Sequence, residues 1–270
     1  MNALSKAERD YISGGMAAGV REDGRNPTEV RCLEVEKDVI PHVNGSSHVK
    51  IQDSIEVLCS VKLDVAEPDP AFPCHGRMNF TVEMSPSCGL ADEKQLTELS
   101  SSIANHLQNI YGGCRAIDME DLCIIEGKYC WAMHVDLVVL RCDGYPLDAC
   151  SIAAYQALQR TAIPKILLKL GDHGIPETFE VKGDVSDSNY LNAKRVPLCL
   201  CVAKIGDQLI SDLTRCELLA IDCLYIIAID SLGNVCGSVK ANGGVLTPAE
   251  VIDVLNACEG FLSTLESFLI

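Results

Sequence analysis

Apolar and polar residues alternate with a period of two near the start of the chain, which is the pattern of strands with one buried face. The alternation covers residues 30–39, 48–51 and 55–65. Turn residues separate these segments, at Asn44-Gly45 and at Asp53-Ser54. Short alternating segments joined by such turns predict an antiparallel meander.

Helical periodicity appears where apolar residues recur at intervals of three and four, because such residues share one face of a helix. The segments that we expect to be helical are residues 4–20, 93–111, 147–159 and 247–269. The last of them opens with Thr247 and Pro248, and Glu250 follows three residues after the threonine. This arrangement predicts a capping box at the helix N-terminus.

Residues 129–141 are apolar nearly throughout, which predicts a central strand that is covered on both faces. A second group of strands is expected after the polar, acidic segment 179–195, over residues 196–204, 209–212, 216–229 and 234–239. Strands followed by helices, twice in succession, predict an α+β fold with an internal pseudo-repeat. We therefore expect two similar sheet-plus-helix lobes, at residues 1–190 and 191–270.

The amino-acid composition limits the kinds of protein that this chain can be. Hydrophobic residues make up 48% of the chain and aromatic residues only 5%, so the core must consist of aliphatic and cysteine side chains. No apolar run is long enough to cross a membrane, and the N-terminus lacks the pattern of a signal peptide, which predicts an intracellular protein. The 15 cysteines include no C-x-x-C pair, so we expect core thiols and no zinc site.

The formal net charge of −16 bears on the partners of this chain. Nucleic-acid binding normally needs clustered lysines and arginines that neutralise phosphates. An acidic chain is a poor binder of RNA by itself. The charge favours solubility and association with more basic partners.

Several short motifs, in their order along the chain, resemble the RNase PH superfamily. They are Arg21-x-Asp23-Gly24-Arg25, Asn44-Gly45-Ser46-Ser47, Cys130-Trp131, Leu147-Asp148-Ala149 and Ala203-Lys204-Ile205-Gly206. The resemblance covers nearly the whole chain and implies an RNase PH-like fold of two lobes. It is strongest to the non-catalytic subunits of the RNA exosome ring.

Active members of this superfamily bind phosphate at a Gly-Thr-Arg or Gly-Ser-Arg turn before a helix, where backbone N–H groups face the anion. This chain has Tyr145, Pro146 and Leu147 there. Proline has no N–H to donate and leucine carries no charge. The positions of the family's RNA-binding arginines fall near Gln95 and Ser101, and both of these residues are neutral.

The catalytic carboxylates of active relatives align with a third group of positions. Asp212 and Glu217 are retained, but the next two positions are Leu218 and Leu224, which cannot hold a metal or carry a proton. A shift of the alignment by one or two residues would instead place Asp222 at this site. The resemblance therefore implies a degenerate active site with no catalytic residue, no metal and no cofactor.

Three other features have a structural and a functional interpretation. For the Arg21–Arg25 motif we favour ion pairs that hold the N-terminal segment over ligand binding. For Trp131 we favour core or subunit interface over base stacking. His75 and Arg77 end the proline-rich loop 67–77, where a phosphate contact is the functional alternative to a solvated loop. We favour the solvated loop.

The resemblance implies a structural subunit that supports 3′-to-5′ RNA processing and degradation by partner nucleases. Its expected partners are other RNase PH-like exosome subunits in a hexameric ring, S1/KH cap subunits, and RNA that passes through the assembled pore. The expected location is the nucleus and nucleolus, and also the cytoplasm. The alternatives are a phosphate-dependent 3′-to-5′ exoribonuclease and another non-catalytic ring subunit of the same family.

Overall fold

The larger sheet occupies the N-terminal part of the chain. The computed structural model describes residues 5–27, 29–88, 93–113, 117–170, 176–182, 188–193, 195–244 and 247–269. The strands of this sheet are β1 (Leu33–Lys37), β2 (Gly45–Ile51), β3 (Ile55–Ala66), β4 (Arg77–Met84), β5 (Cys123–Ile125) and β6 (Tyr129–Cys142). Their order is β1-β2-β3-β6-β4, and β5 also pairs with β6. Only β4 runs parallel to its neighbour β6.

The smaller sheets follow in sequence. Their strands are β7 (Ala162–Ile163), β8 (Ile166–Leu170), β9 (Pro176–Val181), β10 (Asn189–Tyr190), β11 (Leu198–Ile205), β12 (Gln208–Ser211), β13 (Cys223–Ile229) and β14 (Val235–Asn242). Strands β12-β11-β13-β14 form an antiparallel sheet. Strands β8 and β9 form a hairpin, and β7 pairs with β10.

Helices lie between and beside the two main sheets. They are α1 (Lys6–Ala17), α2 (Glu93–Gly113), α3 (Leu147–Gln159), α4 (Arg215–Ala220) and α5 (Pro248–Leu269). Helix α3 contacts β2 and β3 of one sheet and β11 of the other, so it is buried along most of its length. Its alanines and cysteines let both sheets approach closely. Helix α2 joins the sheets at the other side, through β4 and β14.

The Asn44–Ser47 motif holds β2 against α3. The hydroxyl group of Ser47 donates a hydrogen bond to the carbonyl oxygen of Ala153 at 2.7 Å, and the amide of Asn44 donates to the carbonyl of Ala162 at 3.0 Å. Gly45 lies so close to the helix that a Cβ there would stand 2.4 Å from the carbonyl oxygen of Ala157. The motif therefore has a packing role.

Most of the expected elements are confirmed. The α+β class is correct, β6 is central because it pairs with β3, β4 and β5, and the side chain of Trp131 lies in the core with 5% exposure. The capping box of α5 forms, since Glu250 accepts the Thr247 N–H at 2.7 Å and Thr247 Oγ1 accepts the Glu250 N–H. Nine of the fourteen cysteines that the structure describes are buried.

One expected strand is wrong. Residues 216–229 do not form a single strand, because α4 occupies residues 215–220 and β13 begins only at Cys223. Thr214 accepts the N–H of Glu217, and Glu217 accepts the N–H of Thr214, so a second capping box starts a helix here. The division of the chain at residue 190 stays a prediction.

Within the described residues, no helix combines the length and apolar character that a bilayer crossing requires.

Replacing Gly45 by alanine tests the contact between β2 and α3. The added Cβ would collide with the Ala157 carbonyl oxygen, and we expect a loss of about 1–3 kcal/mol in the free energy of unfolding. Urea denaturation measures this loss. Gly14→Ala is the matched control, since a Cβ at Gly14 meets nothing within 4 Å and alanine favours the helix. Equal stability of both variants would contradict the assigned packing.

Candidate functional site

A buried ion pair joins the N-terminal segment to α4, the helix between β12 and β13. Arg21 donates from Nε and Nη2 to the two carboxylate oxygens of Glu217, at 2.8 and 2.6 Å. Both side chains are inaccessible to solvent. Arg21 also donates to the carbonyl oxygens of Ser211, at 3.0 Å, and Asp212, at 2.7 Å. Because a buried charge must be compensated, this network fixes Arg21 in one position.

Asp212 is the centre of a second ion cluster. Arg31 donates to Asp212 from its Nε at 2.9 Å, from its Nη2 at 2.5 Å and from its backbone N–H at 2.7 Å. Arg25 adds a bond from Nη1 at 2.8 Å. Burial alone would raise the pKa of Asp212, but the hydrogen bonds and charge of Arg31 outweigh it and hold the pKa below its ordinary value. Asp212 is therefore a buried carboxylate with both oxygens engaged.

These contacts show what the Arg21–Arg25 motif does. Arg25 also pairs with Asp23, at 2.7 Å, so all three charged residues of the motif lie in the network. The structural interpretation of the motif is confirmed. Sequence reasoning missed Arg31, and the available signal was an arginine in a segment that was otherwise predicted to be a strand.

The turn before α3 packs against the start of α4. A Cβ at Gly144, whose φ is +123°, would lie 1.9 Å from the carbonyl oxygen of Leu213. Tyr145, Pro146 and Leu147 are all buried. Burial raises the pKa of Tyr145, and the side chain of Ser102 on α2 interacts with its hydroxyl group. The turn is thus closed by packing on both sides.

The first turn of α3 also carries a carboxyl group of its own. Asp148 accepts a hydrogen bond from the backbone N–H of Cys201 at 2.7 Å. Burial raises its pKa to about 7. An anion at this helix end would face an apolar leucine, a proline without an N–H, and this acidic side chain.

The remaining degenerate positions are distributed over three elements. Gln95 is half-buried and Ser101 is exposed on α2. Leu218 is half-buried on α4, and Leu224 is 2% exposed in β13, opposite Ala203 of β11. The structure brings the Tyr145 turn together with α2 at Ser102, whereas Leu224 belongs to the core of the second sheet. The assignment of these residues to a degenerate active site stays a prediction.

Asp222, the alternative catalytic candidate, stabilises a turn. Its side chain accepts the backbone N–H of Gly206 at 2.8 Å, and its own N–H donates to the carbonyl oxygen of Lys204 at 2.8 Å. The residue is exposed. Of the three acidic candidates Asp212, Glu217 and Asp222, it alone is open to solvent.

The proline-rich loop is held by backbone hydrogen bonds and one ring contact. The imidazole of His75 stacks on Phe72 with 5.3 Å between ring centroids and 6° between planes. Gly76 donates to the carbonyl of Met119 at 2.8 Å. Arg77 is exposed at the start of β4. An RNA contact of His75 or Arg77 stays a prediction.

The part of the chain that the structure describes contains no group of three or more histidine, cysteine, aspartate or glutamate side chains arranged to hold a metal ion.

Both lobes match one protein family. Residues 29–164 match domain 1 of the 3′ exoribonuclease family, RNase PH, and residues 195–258 match domain 2. The chain therefore belongs to the RNase PH family. Within that family its sequence is similar to proteins named Rrp42.

For two such relatives, the alignment with this chain covers most of the relative's length. One is an "Exosome complex component Rrp42" of Sulfurisphaera tokodaii, 32% identical over 93% of this chain and 88% of the relative. The other is a "Putative exosome complex exonuclease RRP42" of Dictyostelium discoideum, 28% identical over 96% and 94%. Among solved structures, an Archaeoglobus fulgidus exosome "with RNA bound to the active site" superposes with a TM-score of 0.79. It is 26% identical, over 97% of this chain and 98% of the other.

Replacing Glu217 by glutamine tests the buried ion pair. The substitution leaves the Arg21 guanidinium buried without its counter-charge, and we expect a loss of about 3–5 kcal/mol in the free energy of unfolding. Guanidinium chloride denaturation at neutral pH measures it. Glu98→Gln is the control, because Glu98 pairs with Lys94 only at the surface, at 3.8 Å, and should change stability by less than about 0.5 kcal/mol. A similar small effect at Glu217 would disprove the role of the pair.

Proposed function

We propose that this chain is a non-catalytic structural subunit of an exosome ring, which supports 3′-to-5′ RNA processing and degradation by partner nucleases. The observation that carries the proposal is the engagement of Asp212 and Glu217 by buried arginines. The family resemblance places Glu217 in the catalytic carboxylate pattern and Asp212 at the strand end that this pattern follows. Each is already neutralised by the protein itself.

Catalysis by these carboxylates would require free carboxylate oxygens, and the ion pairs occupy those oxygens. A general base must reach the proton that it abstracts, and a metal ligand must present a free oxygen to the ion. Both oxygens of Glu217 accept bonds from Arg21, and both oxygens of Asp212 accept bonds from Arg31. The buried Tyr145-Pro146-Leu147 turn supports the same conclusion for phosphate binding.

The proposed partners follow from the relatives and from the charge. Relatives of this length are named exosome components, and a similar solved structure is an archaeal exosome core. A subunit with a net charge of −16 associates favourably with more basic neighbours, which then supply the RNA path. We propose a hexameric ring with other RNase PH-like subunits, S1/KH cap subunits on the ring, and RNA passing through its pore.

The competing function is a phosphate-dependent 3′-to-5′ exoribonuclease. Membership in an exoribonuclease family and the solvent-open carboxylate of Asp222 favour it. A different non-catalytic ring subunit of the same family is the third candidate. For the cellular location we propose the nucleus and nucleolus, with a cytoplasmic fraction.

Incubation of the purified chain with RNA and inorganic phosphate distinguishes a non-catalytic subunit from an active enzyme. We expect no release of nucleoside diphosphates, because Asp212 and Glu217 are engaged by arginines and the predicted phosphate turn is buried. Thin-layer chromatography of the products provides the measurement, with an active family member as the positive control. Release of diphosphates that disappears in Asp222→Asn would overturn the non-catalytic assignment.

Affinity purification of the full-length chain from its source cells tests ring membership. We expect other RNase PH-like subunits and S1/KH proteins to co-purify, and mass spectrometry identifies them. Fluorescence microscopy of the same tagged chain tests the proposed location. Glu217→Gln serves as a comparison, because we expect fewer partner proteins to co-purify when the second lobe is destabilised. Recovery of the wild-type chain alone would contradict the proposal.

A further inference from the structure

An open groove lies at the C-terminal end of α3, away from the Tyr145 turn at the other end of this helix. Its volume is about 570 Å³, within the usual range of small-ligand pockets. The side chains that matter in it are those of Asp38, His42, Arg160, Lys182 and Tyr190. They come from the segment after β1, from the end of α3, and from the end of β9 and β10.

Arg160 is held in a defined orientation in this groove. It donates from Nε at 2.9 Å and from Nη2 at 2.5 Å to Oδ2 of Asp38. Its Cζ lies 5.9 Å from the ring centroid of Tyr190, which is a cation–π contact. Asp38 has a φ of +58°, a left-handed conformation that aspartate adopts more readily than most residues. The guanidinium is therefore positioned before any ligand arrives.

Tyr190 presents an aromatic face to solvent. Its side chain is 65% exposed, although it stands beside a fixed cation. The backbone under it is ordered by pairing of β10 with β7 and by the hydrogen bond from Leu191 N–H to the carbonyl oxygen of Thr161, at 2.9 Å. An exposed ring on a hydrogen-bonded strand next to a guanidinium is an arrangement that can stack a nucleobase and contact its phosphate.

The charge of the groove differs from that of the chain. The whole sequence carries −16, whereas the described lining of the groove contains two cations, Arg160 and Lys182, and one carboxylate, Asp38. A polyanion that is repelled elsewhere meets cationic side chains here. An acidic peptide would use the cations but would leave the Tyr190 ring without a planar partner.

We propose that this groove binds single-stranded RNA, with one base stacked on Tyr190 and the adjacent phosphate in contact with Arg160. The site is separate from the buried ion cluster and from His75 and Arg77. The choice of RNA over other single-stranded nucleic acids rests on the proposed exosome function. The groove itself does not depend on ring membership.

Fluorescence anisotropy of the purified chain with a labelled oligoadenylate of about ten nucleotides, at low ionic strength, tests the site. Tyr190→Ala should weaken binding about tenfold, because it removes the stacking surface. Tyr190→Phe keeps the ring and should bind within about twofold of the wild type. Arg160→Gln should weaken binding and reduce its salt dependence, since a phosphate contact is lost.

Tyr11→Ala is the matched control, because Tyr11 is 73% exposed on α1, outside the groove, and its loss should leave affinity unchanged. Thermal unfolding verifies that each variant is folded. No binding by the wild type, or equal binding by the wild type, Tyr190→Ala and Arg160→Gln, would overturn the proposal. Displacement of RNA by polyglutamate at equal concentration would also overturn it, in favour of an acidic-peptide site. Co-purification of ring partners tests the exosome function separately.

Discussion

A guanidinium buried without a counter-charge destabilises a protein by several kcal/mol, and the pairing of Arg21 with Glu217 is the constraint on which this structure depends. The pair connects residues 196 positions apart. Around it, Arg25 and Arg31 converge on Asp212, so the segment after α1 is held to the end of β12 and the start of α4. The position of the N-terminal segment therefore depends on charges just after β12 and in α4, and the reverse also holds.

The same interaction supports the proposal that this chain is a non-catalytic member of its family. A carboxylate that balances a buried arginine is not free to bind a metal or to accept a proton, so stability and catalysis compete for Asp212 and Glu217. The residues of the turn before α3 are likewise engaged in structural contacts. Gly144 fits against Leu213, and Tyr145, Pro146 and Leu147 are buried where the family resemblance predicts the phosphate-binding turn of active relatives. The residues at both positions are engaged in ion pairs or packing, and the chain keeps the architecture of its family.

Local patterns predicted the elements well where one physical rule dominated. The apolar period of α2, the continuous apolar run of β6 and the capping box of α5 each depend on residues close in sequence. The error at residues 216–229 has a local cause as well. The alternating apolar residues suggested one strand, but the capping box of Thr214 and Glu217 starts a short helix. The degenerate site positions, from Gln95 to Leu224, came from the family resemblance and not from periodicity.

The sequence by itself determined the α+β class, most of the helices and strands, and the family resemblance, because periodicity, caps and short motifs are encoded by neighbouring residues. Only the tertiary structure decided which charges meet. Arg31 and Asp212 are 181 residues apart, and Arg160 and Asp38 are 122 apart. Their contacts arise because α3 is enclosed between two sheets, which brings the ends of distant segments together. No local pattern specifies such pairs, since their energy appears only after both sheets have packed.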